Sequence, residues 1–341
     1  MKALILSGGT GTRLRPLTYS KAKQLLPLVN KPVLIYLIEK IARAGIHDIG
    51  IIVGDTQEQV KKTVGSGEAW GTVITYIHQH KSLGLAHAVR TAADFLGRDD
   101  FVMILGDNIF NMELDSFIQN FYQQKANTSV LLHTVSNPSQ FGVAVVKDGF
   151  VTALYEKPEK YISNLIITGV YAFDHSIFAA IDRIKPSRRG ELEITDAIQN
   201  QLENGERVTC DLVRGWWKDT GKLDDILEAN RLMFDAALAE KIQMGNNVTI
   251  RNSIIQGPVH LDDDAVITDS FIGPYTTVGR RTRITECEIE NCIILEDTQL
   301  ANVSKKISGS LIGNQVSIQG SPKNSSLASA FFLGDHCQID L

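Results

Sequence analysis

The C-terminal part of the chain carries a repeat that few folds can satisfy. Val248, Ile254, Val266, Ile272, Val278 and Ile284 fall on one six-residue register, with His260 the only exception. The register loosens around Ile289–Asp297 and returns at Ile312 and Ile318, while Gly257, Gly273 and Gly279 sit between the aliphatics. A parallel β-helix needs such a repeat, because each short strand turns one aliphatic inward and a turn then redirects the chain. Ser321–Ser329 reads as a Ser/Pro-containing loop, and Ala330–Leu341 as a closing segment.

Ahead of Gly245 the pattern is different. Lys2–Leu6 reads as a buried strand that runs into Gly8-Gly9-Thr10-Gly11-Thr12-Arg13. Val33–Ala44 has helical periodicity and stops at Gly45. Asp48–Val53, Val73–His78 and Phe101–Leu105 read as further strands, with helices predicted at Thr56–Val64 and Ala86–Leu96. Strands alternating with helices make βαβ units on a mostly parallel sheet, whose ligands bind beyond the carboxyl ends of the strands. The glycine loop and Asp107 both fall there. From Ser129 the pattern shifts to strand pairs: Ser129–Val135, Gly142–Val146 and Val151–Tyr155, then Gly169–Phe173. These predict an antiparallel extension able to cover a substrate. Leu223–Lys241, free of glycine and proline, reads as a connecting helix. A length of 341 residues accommodates two domains, expected at 1–244 and 245–341.

Composition narrows the partners. With 39 acidic and 34 basic side chains the net charge is −5, which argues against broad affinity for nucleic acid or anionic membranes. A nucleotide needs only a few well-placed cations. No apolar run approaches the roughly 20 residues of a bilayer span, and the N-terminal stretch is too short for a signal peptide. The four cysteines form no CxxC, and Cys287 and Cys292 read as buried free thiols, so a reducing cytoplasm is expected.

The loop at 8–14 follows a strand, as a phosphate cradle does. It lacks the Gly-Lys-Ser/Thr of a P-loop, and Leu14 stands where a dinucleotide fingerprint requires a third glycine. What remains is a small-residue turn whose N–H groups can approach a triphosphate, with Arg13 as a forked donor. Its plainer reading is a tight strand-to-helix turn. Lys21, Lys23 and Lys31 close behind Arg13 make a positive field that neutralises a polyphosphate there, although such a run elsewhere is a solvated face. Asp107, at the end of a buried strand, and Asp219, behind Trp216-Trp217-Lys218, form a possible Mg²⁺ pair. Magnesium takes one or two carboxylates plus phosphate oxygens and water; either aspartate alone is more often a turn or cap residue. The scattered histidines show no metal-ligand spacing.

These residues resemble the sugar-1-phosphate nucleotidylyltransferases, and within them the thymidylyl-transferring long form. The resemblance begins at Gly8-Gly-Thr-Gly-Thr-Arg-Leu-Arg-Pro-Leu-Thr18, Lys23-Gln24-Leu-Leu-Pro27 and Lys31-Pro32. It continues through Gln79, Gly84-Leu-Ala86, Leu105-Gly-Asp-Asn108, Phe141-Gly-Val143, Glu156-Lys-Pro158 and Thr168-Gly-Val-Tyr171. It closes with Arg189-Gly-Glu-Leu-Glu-Ile-Thr-Asp196 and Trp217-Lys-Asp-Thr-Gly221, so it spans about two-thirds of the chain. Phe331-Phe-Leu-Gly-Asp-His336 resembles the closing motif of the long form. The implied fold is α/β: a Rossmann-like, GT-A-like mixed sheet domain followed by a C-terminal left-handed parallel β-helix of hexapeptide repeats.

The implied reaction joins dTTP and α-D-glucose 1-phosphate into dTDP-glucose and pyrophosphate with Mg²⁺. UTP or another sugar 1-phosphate is the alternative within the class. The resemblance places nucleotide contacts on Leu6, Gly8, Gly9, Thr10, Gly11, Thr12, Arg13, Gln24, Gln79 and Gly84. It assigns catalytic cations to Arg13, Lys23 and Lys157, sugar contacts to Gly142, Glu156, Lys157, Ile167 and Thr168, and metal to Asp107 and Asp219. His87 departs from the family, where glutamine is common. A bifunctional acyltransferase and a silent regulatory subunit are weaker alternatives; Asp107, Asp219, Lys23 and Lys157 are all present, against the second. The β-helix is expected to stabilise the chain or to make it a homo-oligomer.

Overall fold

The structure is a computed structural model that describes residues 1–9, 11–237, 241–320 and 329–340. Thr10, the end of the expected connecting helix at 238–240, the expected loop at 321–328 and Leu341 lie outside the described residues. Two compact units emerge: Met1–Gly9 with Leu34–Asp219, and Thr10–Val33 with Thr220–Leu341.

The first unit is built on nine strands: β1 (Lys2–Leu6), β2 (Asp48–Val53), β3 (Val73–His78), β4 (Phe101–Leu105), β5 (Thr128–Thr134), β6 (Gly142–Lys147), β7 (Phe150–Glu156), β8 (Leu165–Phe173) and β9 (Val208–Leu212). Their spatial order is β3-β2-β1-β4-β8-β5-β9-β7-β6. The first four run parallel, as helix-connected apolar runs must. β8 then joins β4 antiparallel and opens the extension. Residues 3–5 of β1 and 49–53 of β2 are wholly buried, as in a sheet covered on both faces.

Two elements differ from expectation. The predicted helix at Ala86–Leu96 is two pieces, Leu85–Thr91 and Ala93–Leu96, because Ala92 leaves helical geometry while its N–H still bonds back to Ala88 and Val89. β8 starts at Leu165 and not at Gly169: its pairing with β5 shifts register between Ile167 and Tyr171, so the Thr168-Gly169 pair is a bulge inside one strand.

In the second unit the chain winds into a left-handed β-helix whose short parallel strands stack on three faces. One face runs Thr249–Arg251, Val266–Thr268, Arg283–Thr285, Gln299–Ala301, Ser317–Gln319 and Gln338–Asp340. Its inward column is Ile267, Ile284, Leu300 and Ile318, all buried. Successive paired residues are 17 apart over the first coils, not 18, so a strict six-residue register slips by one per coil. Ile272, Val278 and Ile284 point inward as expected. Further back the inward residues are Leu261 and Ile267, one place after His260 and Val266, and Ile254 is 67% exposed. His260 is therefore no break in the core. Its ring bonds Gln243 across the coil at 3.1 Å.

The same unit holds Thr10–Val33 against the coils. Ser20 Oγ donates to Asp335 at 2.8 Å, Asn30 Nδ2 donates to the Val278 carbonyl at 3.0 Å, and Val29 N–H donates to Asn230 Oδ1 at 2.8 Å. Asn230 lies on the helix Leu223–Ala237 that precedes the coils. Burial lowers the Lys21 ammonium pKa, and Asp335 and Glu296 oppose that shift.

Candidate active site

The carboxyl ends of β1, β2 and β4 lie level, since Ser7 N–H bonds the Ile52 carbonyl and Gly106 N–H bonds the Leu6 carbonyl, both at 2.9 Å. Leu6 is buried and Gly8 follows it, beside Gln79. Gln79 extends β3 through its N–H to the Val53 carbonyl, and its side-chain Nε2 lies 2.8 Å from His87 Nδ1. Gly84 opens the helix Leu85–Thr91 at φ 104° and ψ 171°, a conformation reserved for glycine. A β-carbon there would overlap the Leu192 carbonyl oxygen and lie 2.8 Å from the Leu192 nitrogen. The approach is enforced by two hydrogen bonds, Leu192 N–H to Leu83 O at 2.7 Å and Ala86 N–H to Leu192 O at 3.1 Å.

Asp107 and Asp219 come together through a two-stranded ladder. Asn108–Phe110 pairs antiparallel with Trp217–Asp219, and Asp219 stands opposite Asn108. Asn108 Nδ2 donates to Asp107 Oδ1 at 3.2 Å, while its buried Oδ1 has no hydrogen-bond partner among the described residues. Two carboxylates and one orphaned amide oxygen in one neighbourhood form an all-oxygen donor set of the kind magnesium takes. Among the described residues no cluster of three or more His, Cys, Asp or Glu side chains offers a larger metal site.

The sugar-side residues also converge. Glu156 at the end of β7 faces Gly142 at the start of β6. A β-carbon on Gly142 would lie 2.9 Å from Thr195 Cγ2 and 3.3 Å from Ile167 Cδ1, so glycine keeps this corner open. Glu156 Oε2 accepts from Thr195 Oγ1 at 3.1 Å, and its Oε1 lies 3.3 Å from Arg189 and 3.6 Å from Lys157 Nζ. Burial pushes the Glu156 carboxyl above the ordinary carboxylate range, opposed by Lys157 and Arg189 and reinforced by Glu193. Lys157 itself sits at φ 42°, with its N–H bonded to the Phe141 carbonyl at 3.0 Å. Thr168 is buried and spends its hydroxyl on the Leu131 carbonyl at 2.8 Å, while its own carbonyl accepts from Trp217 Nε1 at 2.9 Å. Trp217 therefore ties the sugar-side strand to the ladder that ends in Asp219.

The remaining predicted residues belong to the second unit. Gly11 carbonyl accepts from Leu14 N–H at 2.9 Å and from Thr18 Oγ1 at 2.7 Å, closing the turn that exposes Thr12 and Arg13. Lys23 lies close behind Gly11. Gln24 is buried, and neither atom of its amide has a hydrogen-bond partner among the described residues. Gly9 precedes this segment directly in the chain.

Arg189 and Thr195 stand within a sequence motif but carry no role expected from it. Arg189 forks onto Glu193 with two bonds of 2.8 Å and reaches Glu156 and Glu191 as well. Arg189 and Glu193 meet through the turn that precedes the helix Ile194–Glu203, so no helical spacing marks the pair in the sequence. His87 and Asn108 were likewise unassigned, and nothing in their spacing marks them.

A profile of the nucleotidyl transferase family matches residues 2–235. Over its full length the chain is 44% identical to a glucose-1-phosphate thymidylyltransferase of Streptomyces antibioticus, covering 99% of that protein. It is 42% identical, with both chains fully covered, to a low-salt glycan biosynthesis nucleotidyltransferase of Haloferax volcanii. A solved UDP-glucose pyrophosphorylase in complex with UDP-glucose superposes with a TM-score of 0.62 at 25% identity, covering 69% of this chain and 98% of that one.

Proposed function

The chain belongs to the nucleotidyl transferase family, and from that premise we propose that it transfers a thymidylyl group from dTTP to α-D-glucose 1-phosphate, giving dTDP-glucose and pyrophosphate. The observation that carries this reading is the convergence of Gly142, Glu156, Lys157, Ile167 and Thr168 with Asp107 and Asp219. It occurs in a chain alignable from end to end with a thymidylyltransferase.

The chemistry follows from the substrates. A sugar 1-phosphate brings its own nucleophile, so the protein needs no serine, cysteine or histidine to attack. A phosphate oxygen forms a bond to the α-phosphorus as the bond to pyrophosphate breaks, and the electron pair leaves with the pyrophosphate. The protein's tasks are alignment and neutralisation. Lys157, held by its Phe141 hydrogen bond, faces the sugar phosphate, and Glu156 accepts from sugar hydroxyls. Arg13 and Lys23 neutralise the triphosphate, while Gly8, Gly9, Gly11 and Thr12 let the backbone approach it and Gln24 serves as a further nucleotide contact. Thr10 shares that loop in sequence. Gln79 meets the pyrimidine edge, with Leu6 and Gly84 shaping the base site. Asp107 and Asp219 would hold Mg²⁺, which when bound supplies positive charge to the crowded phosphates.

Thymine and uracil differ by one methyl, which a pocket contact discriminates by only about 1–3 kcal/mol. The likeness to a UDP-glucose enzyme supports UTP as a second, poorer nucleotide. All four cysteines are free thiols, which supports a reducing cytoplasm. No helix among the described residues is long and apolar enough to cross a membrane. The first coil exposes Ile242, Met244, Ile250 and Ile254, which supports a homo-oligomer formed through the β-helix.

The test is pyrophosphate release with dTTP and UTP against a panel of sugar 1-phosphates, with and without Mg²⁺. Release with dTTP and glucose 1-phosphate, lost on chelation and in Asp107→Ala and Asp219→Ala, is expected. No release from any pair would overturn the reading.

A further inference from the structure

The closing motif Phe331–His336 takes no part in the chemistry proposed above, yet it packs on the segment that carries Arg13 and Lys23; both belong to the second unit. Gly334 is buried, and a β-carbon on it would lie 3.2 Å from the Pro16 carbonyl oxygen and 3.4 Å from the Pro16 carbonyl carbon. Asp335 comes next. Its Oδ2 accepts from Ser20 Oγ at 2.8 Å, and its Oδ1 accepts from the Asn314 N–H at 2.7 Å and from Asn314 Nδ2 at 3.2 Å. The preceding coil therefore aims the carboxylate that takes the Ser20 hydroxyl. The same carboxylate, with Glu296, attracts the partly buried Lys21 ammonium.

From this anchor to the two cations the path is short. The Pro16 carbonyl accepts from Tyr19 N–H at 3.1 Å, closing the turn that precedes Ser20. Thr18, inside that turn, donates from Oγ1 to the Gly11 carbonyl at 2.7 Å. Gly11 has a φ of 63°, and a β-carbon there would lie 2.9 Å from Thr18 Cγ2 and 3.1 Å from Lys23 Cβ. Thr18 thus ties the Asp335 contact to Gly11, and Gly11 to Lys23 and the turn that exposes Arg13. At its other end the segment is held by Asn30 Nδ2, which donates to the Val278 carbonyl. Exposed cations on a free loop would have to be ordered as the nucleotide binds, and a loop ordered beforehand avoids that cost.

We infer that the closing coil is a positioning element for the triphosphate: Asp335, by holding Ser20, and Gly334, by seating Pro16, fix the turn that presents Arg13 and Lys23. This rests on the assignment of Arg13 and Lys23 to the triphosphate proposed above. Neither Gly334 nor Asp335 touches substrate in this role, and glucose 1-phosphate, held by Glu156 and Lys157, is indifferent to it.

The test uses the full-length enzyme and measures dTTP binding with Mg²⁺ by titration calorimetry, beside the KM of each substrate. Ser20→Ala should weaken dTTP binding and raise its KM about fivefold, the size of one hydrogen bond, with the KM for glucose 1-phosphate unchanged. Asp335→Ala should do at least as much, and adding Ser20→Ala to it should change nothing further, because both remove the same bond. Ser20→Thr, which keeps the hydroxyl, should match the parent. Gly334→Val, which drives a side chain onto the Pro16 backbone, should weaken dTTP binding with both bonding groups intact. Arg13→Ala and Lys23→Ala are measured alongside. If they weaken dTTP binding while Ser20→Ala and Asp335→Ala do not, the positioning role is overturned and the cations keep their assignment. If they leave dTTP binding unchanged, the triphosphate assignment falls and the positioning role with it. Equal losses for dTTP and glucose 1-phosphate in the anchor variants would show a general loss of structure and overturn it too. Should Asp335→Ala fail to fold, Ser20→Ala, at an exposed serine, decides alone.

Discussion

Replacing Gly84 by alanine puts the base-side backbone under a load that can be worked out. At φ 104° and ψ 171° an L-residue lies outside its allowed regions, which costs about 1–3 kcal/mol. The new methyl would also overlap the Leu192 carbonyl oxygen and stand 2.8 Å and 2.9 Å from the Leu192 nitrogen and carbonyl carbon. These are backbone atoms, so relief comes only by parting the two segments and loosening the hydrogen bonds at 2.7 Å and 3.1 Å that join them. Each is worth about 0.5–1.5 kcal/mol, for a total of about 2–6 kcal/mol. The three tryptophans, Trp70, Trp216 and Trp217, all belong to the first unit, so their fluorescence in urea reports that unit alone. Gly84→Ala should lower its unfolding free energy by that amount and raise KM for dTTP, because Gly84 shapes the base site. A variant within about 0.5 kcal/mol of the parent, with KM unchanged, would refute the argument.

Three further outcomes follow from the same geometry. Ile284→Ala removes a buried side chain stacked between Ile267 and Leu300 and should cost about 2–5 kcal/mol by calorimetry, whereas Ile254→Ala, at a position of the same sequence register but 67% exposed, should stay within about 0.5 kcal/mol. Burial raises the folded-state pKa of Glu156, so its contribution is fully present below the unfolded pKa of about 4.3 and lost as pH rises through the folded value. Wild type should therefore lose stability relative to Glu156→Gln over that interval in urea titrations at stepped pH, and a gain would contradict the burial argument. Burial pushes the thiols of Cys287 and Cys292 up to about 11 and about 12, so Ellman's reagent at pH 8 should leave both unmodified in the native enzyme and titrate all four cysteines in urea.

Much of the first unit was legible in order. Continuously apolar runs with helical segments between them marked β1, β2 and β4 within a residue or two, because a strand buried on both faces must be continuously apolar, whereas the edge strand β3, with Val73 62% exposed, was marked by its β-branched and aromatic residues. The bulge at Thr168-Gly169 was not legible, since a Thr-Gly pair reads locally as a turn and only its partner strand shows otherwise. In the β-helix the aliphatic period announced the fold, and Val248 does pack on its core, but the inward column was misread at Ile254, His260 and Val266. A coil of 17 residues moves the inward position by one, and Ile254 and Val266 are as apolar as their inward neighbours.

The sequence by itself determined the chemistry-bearing residue types and their order, and through hydrophobic periodicity the two kinds of architecture, because burial of apolar surface is a local demand repeated along the chain. Only the tertiary structure decided which of those residues meet. It set Asp219 opposite Asn108, closed Arg189 and Thr195 onto Glu156, and grouped Thr10–Val33 with the coils. It also brought the Gln79 amide within 2.8 Å of the His87 ring. Those pairings depend on strand register and on the direction of single hydrogen bonds between distant segments, and neither leaves a period in the chain to be read.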